Sequence, residues 1–178
     1  MHLCLVTLAV DTGMRKTEML QLHQSEVDLN KGVITMGNVS DLRTKTGRGR
    51  EIPLTARAIT ALAKQIGTHS GTHSGTHRRV PWNGYVFENM ATGKPITDIK
   101  TFWREMCKRA KLEGVHFHDL RHTFATRVLH MGVDETSLMA ITGHISSDSC
   151  KRYAHASEES KERAIEIMQK IHKGPANS

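Results

Sequence analysis

The sequence predicts an α+β fold, mainly α-helical, with one small antiparallel sheet of about three strands. Three observations lead there. Several segments carry apolar residues at the i, i+3, i+4 spacing of a helix face. Two short β-prone runs turn on Asn30-Lys31-Gly32 and on Gly47-Arg48-Gly49, as hairpins do. No strand–helix–strand alternation suggests a parallel sheet.

Each element can be justified in chain order. Residues 2–10 and the following DTGMRKTEMLQL form two helices joined at Gly13, with Leu3, Val6, Leu8 and Val10 as the apolar side of the first. EVDLNKGVITM is a hairpin, and LRTKTGRGREIPL gives a second strand pair that Pro53 ends. TARAITALAKQI starts at a threonine and sets Ala56, Ile59, Leu62, Ala63 and Ile66 on one face. The tandem repeat GTHSGTHSGTH follows at 67–77, low in complexity, and a flexible loop insertion is expected over 67–79. TDIKTFWREMCKRAKL is helical, with Ile99, Phe102, Trp103, Met106 and Ala110 as its buried stripe and Lys100, Arg104, Lys108 and Lys111 as an exposed basic one. HDLRHTFATRVLHMG is a helix stopped by Gly132, and Asp134 caps a short helix that ends at Gly143. SEESKERAIEIMQKIHK closes the chain as an amphipathic helix over 157–172, followed by a tail at 173–178.

At 178 residues the chain is about one domain long. Hydrophobic residues reach 38% but aromatics only 4%, so aliphatic side chains and methionine must fill the core. The formal net charge of +7 favours a polyanionic partner. Nucleic acid comes before membrane, because no lipidation signal or long basic amphipathic helix is present. The opening run LCLVTLAV is too short to span a bilayer. Cys4, Cys107 and Cys150 are odd in number and contain no CxxC pair, which fits a reduced, cytoplasmic setting. A chain that begins inside an apolar helix is expected to have lost a segment upstream.

Four constellations carry chemistry, each with a plainer reading beside it. HDLRH sets His118, Arg121 and His122 within one helical turn. It can be a solvated helix start, an anion site, or two zinc ligands at i, i+4. Arg121 would repel a cation and no third ligand is evident, so no metal is expected. TGMRKTE puts Arg15 after a helix-breaking glycine, three residues before Glu18; this is either a surface ion pair or an arginine aimed inward by its carboxylate. RTKTGRGRE places Arg43, Lys45, Arg48 and Arg50 on a hairpin, either as a charged edge or as a turn that carries a lysine to phosphate. GHISSDSCKRYAH holds Tyr153 among basic residues, either as a packing ring or as a nucleophile.

TGMRKTEML, RTKTGRGREIPL, HDLRHTFATRVLHMG, TGH and KRYAHAS, in this order, resemble the catalytic domain of the tyrosine recombinases, the phage integrase family. The resemblance runs from about residue 3 to residue 172 and implies that family's catalytic fold over 1–172, without the N-terminal core-binding domain that family members usually carry. It implies Arg15, Lys45, His118, Arg121, His144 and Tyr153 as catalytic residues, with Glu18 orienting Arg15. It implies no metal and no cofactor. The partners it implies are a double-stranded DNA recombination site and other recombinase protomers, reached through helix 157–172. Thr142 stands where the family often has a leucine, and Cys150 and Lys151 where it often has threonines.

The residue types suit that chemistry. Two arginines can grip the non-bridging oxygens of a phosphodiester, always charged and with fixed fork geometry. A tyrosine of pKa near 10 needs a base, and His118 is the candidate. Lys45 would protonate the departing 5′-oxygen, and His144 would hydrogen-bond the phosphate or a leaving oxygen. The expected function is therefore site-specific DNA strand cleavage and rejoining through a 3′-phosphotyrosyl intermediate. The alternatives are a topoisomerase-like relaxing enzyme and a non-catalytic DNA-binding prophage remnant. The stripe Lys100, Arg104, Lys108 and Lys111, with Arg43 and Arg48, is the expected DNA-binding surface; Arg78 and Arg79 would add backbone contacts.

Overall fold

A computed structural model describes residues 1–37, 49–68 and 83–143. The first helix, α1 (His2–Thr12), buries Cys4, Leu5, Leu8, Ala9 and Thr12. That face is turned away from Leu3, which is exposed, because Leu5, Leu8 and Ala9 already point at the core. The chain reverses at Gly13, whose φ of 60° and ψ of 19° are left-handed. Only glycine takes that conformation cheaply. A Cβ at Gly13 would also lie 2.4 Å from Cδ1 of Phe124. The tight reversal drops Arg15 at the start of α2 (Lys16–Leu20).

The sheet has three antiparallel strands in the order β1–β2–β3, as the sequence predicts: β1 (Val27–Asp28), β2 (Val33–Met36) and β3 (Arg50–Pro53). Asp28 closes the first turn by accepting the backbone N–H groups of Asn30 and Lys31 at 3.0 and 2.9 Å. Ile34 stands opposite both Val27 and Ile52, so the apolar faces of the strands coincide. The second turn, with Arg43, Lys45 and Arg48, lies outside the described residues.

Helix α3 (Ala56–Gly67) starts where Thr55 accepts the N–H of Ala58 at 3.2 Å. Its buried side is Ala58, Leu62 and Gln65, with Ile59 and Ile66 half-buried; Ala56 and Ala63, expected inside, face out. Most of the GTHS repeat, together with Arg78 and Arg79, lies outside the described residues. Helix α4 (Lys100–Arg109) packs through half-buried Phe102 and Trp103 and buried Cys107. The Trp103 indole N–H donates to the Val115 carbonyl at 2.9 Å. Lys100, Arg104 and Lys108 are exposed along α4, but Lys111 is not on it: the helix ends at Arg109, and Lys111 turns away with φ 55°. Helices α5 (Asp119–His130) and α6 (Glu135–Thr142) follow, the second capped by Asp134 on the Ser137 N–H at 2.9 Å. The terminal helix expected over 157–172 and the tail at 173–178 lie outside the described residues.

Helix α1 packs on α3 and α5, and α6 packs on β3 and α5. The core is aliphatic and methionine-rich, with Leu5, Leu8, Met14, Met19, Met36 and Leu62 fully buried around Phe87. Among the described residues no helix is long and apolar enough to cross a membrane. Replacing Gly13 with alanine adds left-handed strain and a clash with Phe124. The G13A variant should lose about 2–4 kcal/mol of stability, read from urea unfolding midpoints. Trimming the ring in the same chain, Phe124→Leu, should recover part of that loss.

Candidate functional site

Helix α6 ends with backbone carbonyls that no residue within the helix can satisfy. Three arginines from separate parts of the chain take them. Arg50 Nε on β3 donates to the Ile141 carbonyl at 3.0 Å. Arg121 Nη1 on α5 donates to the Thr142 carbonyl at 3.0 Å and also to the Gly13 carbonyl. Arg15 Nη2, at the α1–α2 turn, donates to the Gly143 carbonyl.

One buried carboxylate joins this set. Glu18, with a side chain only 3% exposed, accepts Arg15 Nη1 on Oε1 at 2.9 Å. Its Oε2 accepts Arg50 Nη2 at 2.8 Å and the Arg15 backbone N–H at 2.8 Å. Burial alone would raise the Glu18 carboxyl, but the Arg50 bond, the Arg15 backbone bond and the Arg50 charge outweigh it and hold the group below its ordinary value.

Arg121 is more enclosed than Arg15, at 6% exposure. Burial, with Arg15 and Arg50 close by, pulls it down to about 10, so it remains charged at neutral pH. Among the described residues nothing accepts from its Nε or Nη2. Among the described residues, three guanidiniums stand against one carboxylate, a formal excess of two positive charges. The corner is built to receive an anion.

His118 sits just before α5, at its N-cap, with its ring 4.8 Å from that of His122 in an edge-on arrangement. Burial, then the charges of His122 and Arg121, push its imidazole below the ordinary value, with a smaller push from Arg15. It is neutral at neutral pH and can accept a proton.

Of the residues singled out from the sequence, Arg15, Glu18 and Arg121 converge, and His118 lies within their field. Lys45, His144 and Tyr153, like Arg43 and Arg48, lie outside the described residues. Lys100, Arg104 and Lys108 occupy α4, a separate element. Among the described residues no group of three His, Cys, Asp or Glu side chains could hold a metal. Thr142 is fully buried and donates its hydroxyl to the Leu138 carbonyl at 2.8 Å, so it fills an apolar site without an unpaired oxygen. Arg50 was the residue the motifs did not single out for this site. The signal was its place one alternation from Ile52, on the inward side of β3.

The fold is a mostly helical domain with one small sheet, and its arginines converge on the end of α6. Residues 1–160 match the model of the phage integrase family, and the chain belongs to that family. It is 34% identical over 165 residues to a shufflon-specific DNA recombinase of Escherichia coli, covering 92% of this chain and 35% of the relative. It is 31% identical over 161 residues to the tyrosine recombinase XerC of Bacillus pumilus (strain SAFR-032), covering 88% of this chain and 50% of the relative. A crystal structure of XerA recombinase shares the fold, with a TM-score of 0.69 and 24% identity over 94% of this chain and 56% of that one. The chain thus spans half or less of the curated relatives named here.

Among the described residues Glu18 is the one carboxylate bonded in the corner, and its loss leaves Arg15 and Arg50 facing each other. Glu18→Gln should cost about 3–5 kcal/mol in urea unfolding at neutral pH. Because the folded carboxyl titrates below its ordinary value, this contribution is present above the unfolded pKa. It should fade as pH falls through the folded pKa, so wild type and E18Q should converge in acid.

Proposed function

We propose that this chain is the catalytic part of a site-specific DNA recombinase, cutting and rejoining DNA through a covalent 3′-phosphotyrosyl intermediate without metal or cofactor. The observation that carries the reading is the arginine corner, in which Arg15, Arg50 and Arg121 share the end of α6 and, among the described residues, face the single carboxylate of Glu18. A phosphodiester carries one negative charge and approaches two as a nucleophile adds to it. The corner therefore matches the transition state better than the ground state, which is the condition for catalysis.

In this reading Tyr153 Oη attacks the phosphorus and His118 takes the phenolic proton. The bond from phosphorus to the 5′-oxygen breaks, and Lys45 protonates the leaving oxygen. Arg15, Arg121 and His144 hold the non-bridging oxygens, and Glu18 keeps Arg15 in place. Attack by a 5′-hydroxyl on the phosphotyrosine reverses the step, so the phosphodiester bond energy is conserved. The exposed Lys100, Arg104 and Lys108 on α4, with Lys111, Arg43 and Arg48, would contact the DNA backbone. Residues 157–172 would meet a neighbouring protomer on DNA. The excess of basic residues supports a DNA-bound protein.

A pool of short nicked duplexes, randomised around the nick, tests the chemistry. The leaving 5′-hydroxyl fragment diffuses away, so cleavage traps the protein on DNA. Wild type should give a denaturant-resistant adduct whose labelled peptide contains Tyr153, and Tyr153→Phe should give none; adduct from that variant would overturn the nucleophile. The pH profile of adduct formation tests the base. The His118 imidazole titrates below its ordinary 6.5, so the acid limb of the rate should fall below pH 6.5. A limb centred above 6.5 would remove His118 from that role.

A further inference from the structure

We propose that Arg50 is a positioning residue for strand cleavage: it locks the end of α6 to Glu18, and so fixes Arg15 and Arg121 in the geometry that grips the phosphate. The proposal rests on the function proposed above.

Arg50 and Arg15 approach the same two anchors from different elements. Arg50 bonds Glu18 Oε2 at 2.8 Å and the Ile141 carbonyl at 3.0 Å. Arg15 bonds Glu18 Oε1 at 2.9 Å and the Gly143 carbonyl. The result is a closed ring: Glu18, Arg50, the end of α6, Arg15, and back to Glu18. Arg121 ties into that ring at the Thr142 carbonyl, between the two anchor points on α6. The Arg50 side chain is 10% exposed, and both of these bonds go to protein groups.

The packing is as specific as the bonding. A Cβ on Gly143 would stand 2.5 Å from Arg50 Nη1, so the guanidinium lies directly against a bare backbone. Its Nε and Nη2 point to two acceptors on different elements, as a planar fork allows. A lysine places all its donors on one nitrogen and cannot reproduce both contacts from one position. With the ring opened, Arg15 alone would hold Glu18, and the α6 end would be free to shift against Arg121. A misplacement of about 1 Å in a positioned group can cost on the order of 10²-fold in rate.

The test compares the full chain with its Arg50→Lys and Arg50→Gln variants on the nicked duplex recovered by wild type, with DNA in excess. The rate constant of adduct formation is separated from its amplitude, because a partly unfolded sample lowers amplitude but not the rate constant of the molecules that fold. Arg57→Gln serves as a control, since Arg57 is ion-paired with Asp11 away from the corner and should leave the rate constant unchanged. The rate constant should fall by about tenfold or more for Arg50→Lys and about 10²-fold for Arg50→Gln. DNA affinity should stay within about threefold. A rate constant within about threefold of wild type in both variants would overturn the proposal. NMR of the guanidinium Nε–Hε groups supplies a readout without DNA: the Arg15 and Arg121 resonances should shift or broaden in both variants. If wild type forms no adduct, the function proposed above fails, and unchanged Arg15 and Arg121 resonances would then reject the positioning role by themselves.

Discussion

The rest of the site depends on how α6 ends. Every helix leaves its last carbonyls without partners inside the helix, and burial makes that costly. Here the partners are Arg50, Arg121 and Arg15, one each for Ile141, Thr142 and Gly143. Carbonyl oxygens are a particular kind of anchor. They accept strong charge-assisted bonds and carry only the partial negative charge of a helix terminus, roughly half an electron in total. The arginines are thereby held without being neutralised. Had carboxylates been used at all three points, the same geometry would have cancelled the positive charge of the corner. Among the described residues Glu18 is the one full negative charge bonded there, and it is shared by two of the three arginines.

The same bonds hold the fold together. Arg121 ties α5 both to the Gly13 turn and to α6. Arg50 ties β3 to α2 and to α6, and Arg15 ties the α1–α2 turn to α6. Gly13 is where these demands meet. Its left-handed turn brings Arg15 round, its carbonyl receives Arg121, and its missing side chain admits the Phe124 ring. Stability and site geometry share one set of contacts, so neither can be altered alone.

What the sequence made legible was local. Arg15 and Glu18 are three residues apart, His118 and Arg121 likewise, and a single turn of chain displays each pair. The sheet was legible for the same reason, since Asn30-Lys31-Gly32 announces its own turn. The basic stripe on α4 was over-extended by one residue. Spacing continues to Lys111, but the helix ends at Arg109 and Lys111 takes a left-handed φ of 55°, a turn that periodicity does not report. Leu3 misled because a helix apolar on several sides does not declare which side is inner. Arg50 was hidden because its partners, Glu18 and Ile141, lie far away in the chain. Within a basic hairpin it reads as one more surface charge. Only strand alternation distinguishes it: Glu51 and Pro53 face out, while Ile52 is fully buried and the Arg50 side chain turns in with it.

The charge balance of the corner bears on how binding and chemistry are linked. Holding three guanidiniums around one carboxylate, as the described residues do, costs energy, in line with the downward pull on Arg121 from burial and from its neighbours Arg15 and Arg50. Part of that energy was met during folding by Glu18 and by the α6 carbonyls. In the function proposed above, an incoming phosphodiester would relieve the remainder. That relief would grow as the anion's charge grows, because each added increment of negative charge acts on the same fixed positive field. A preorganised cationic corner of this kind would need no rearrangement as the reaction proceeds. The preference for the more highly charged state would then follow from capping α6 with arginines while, among the described residues, one acid is buried between them.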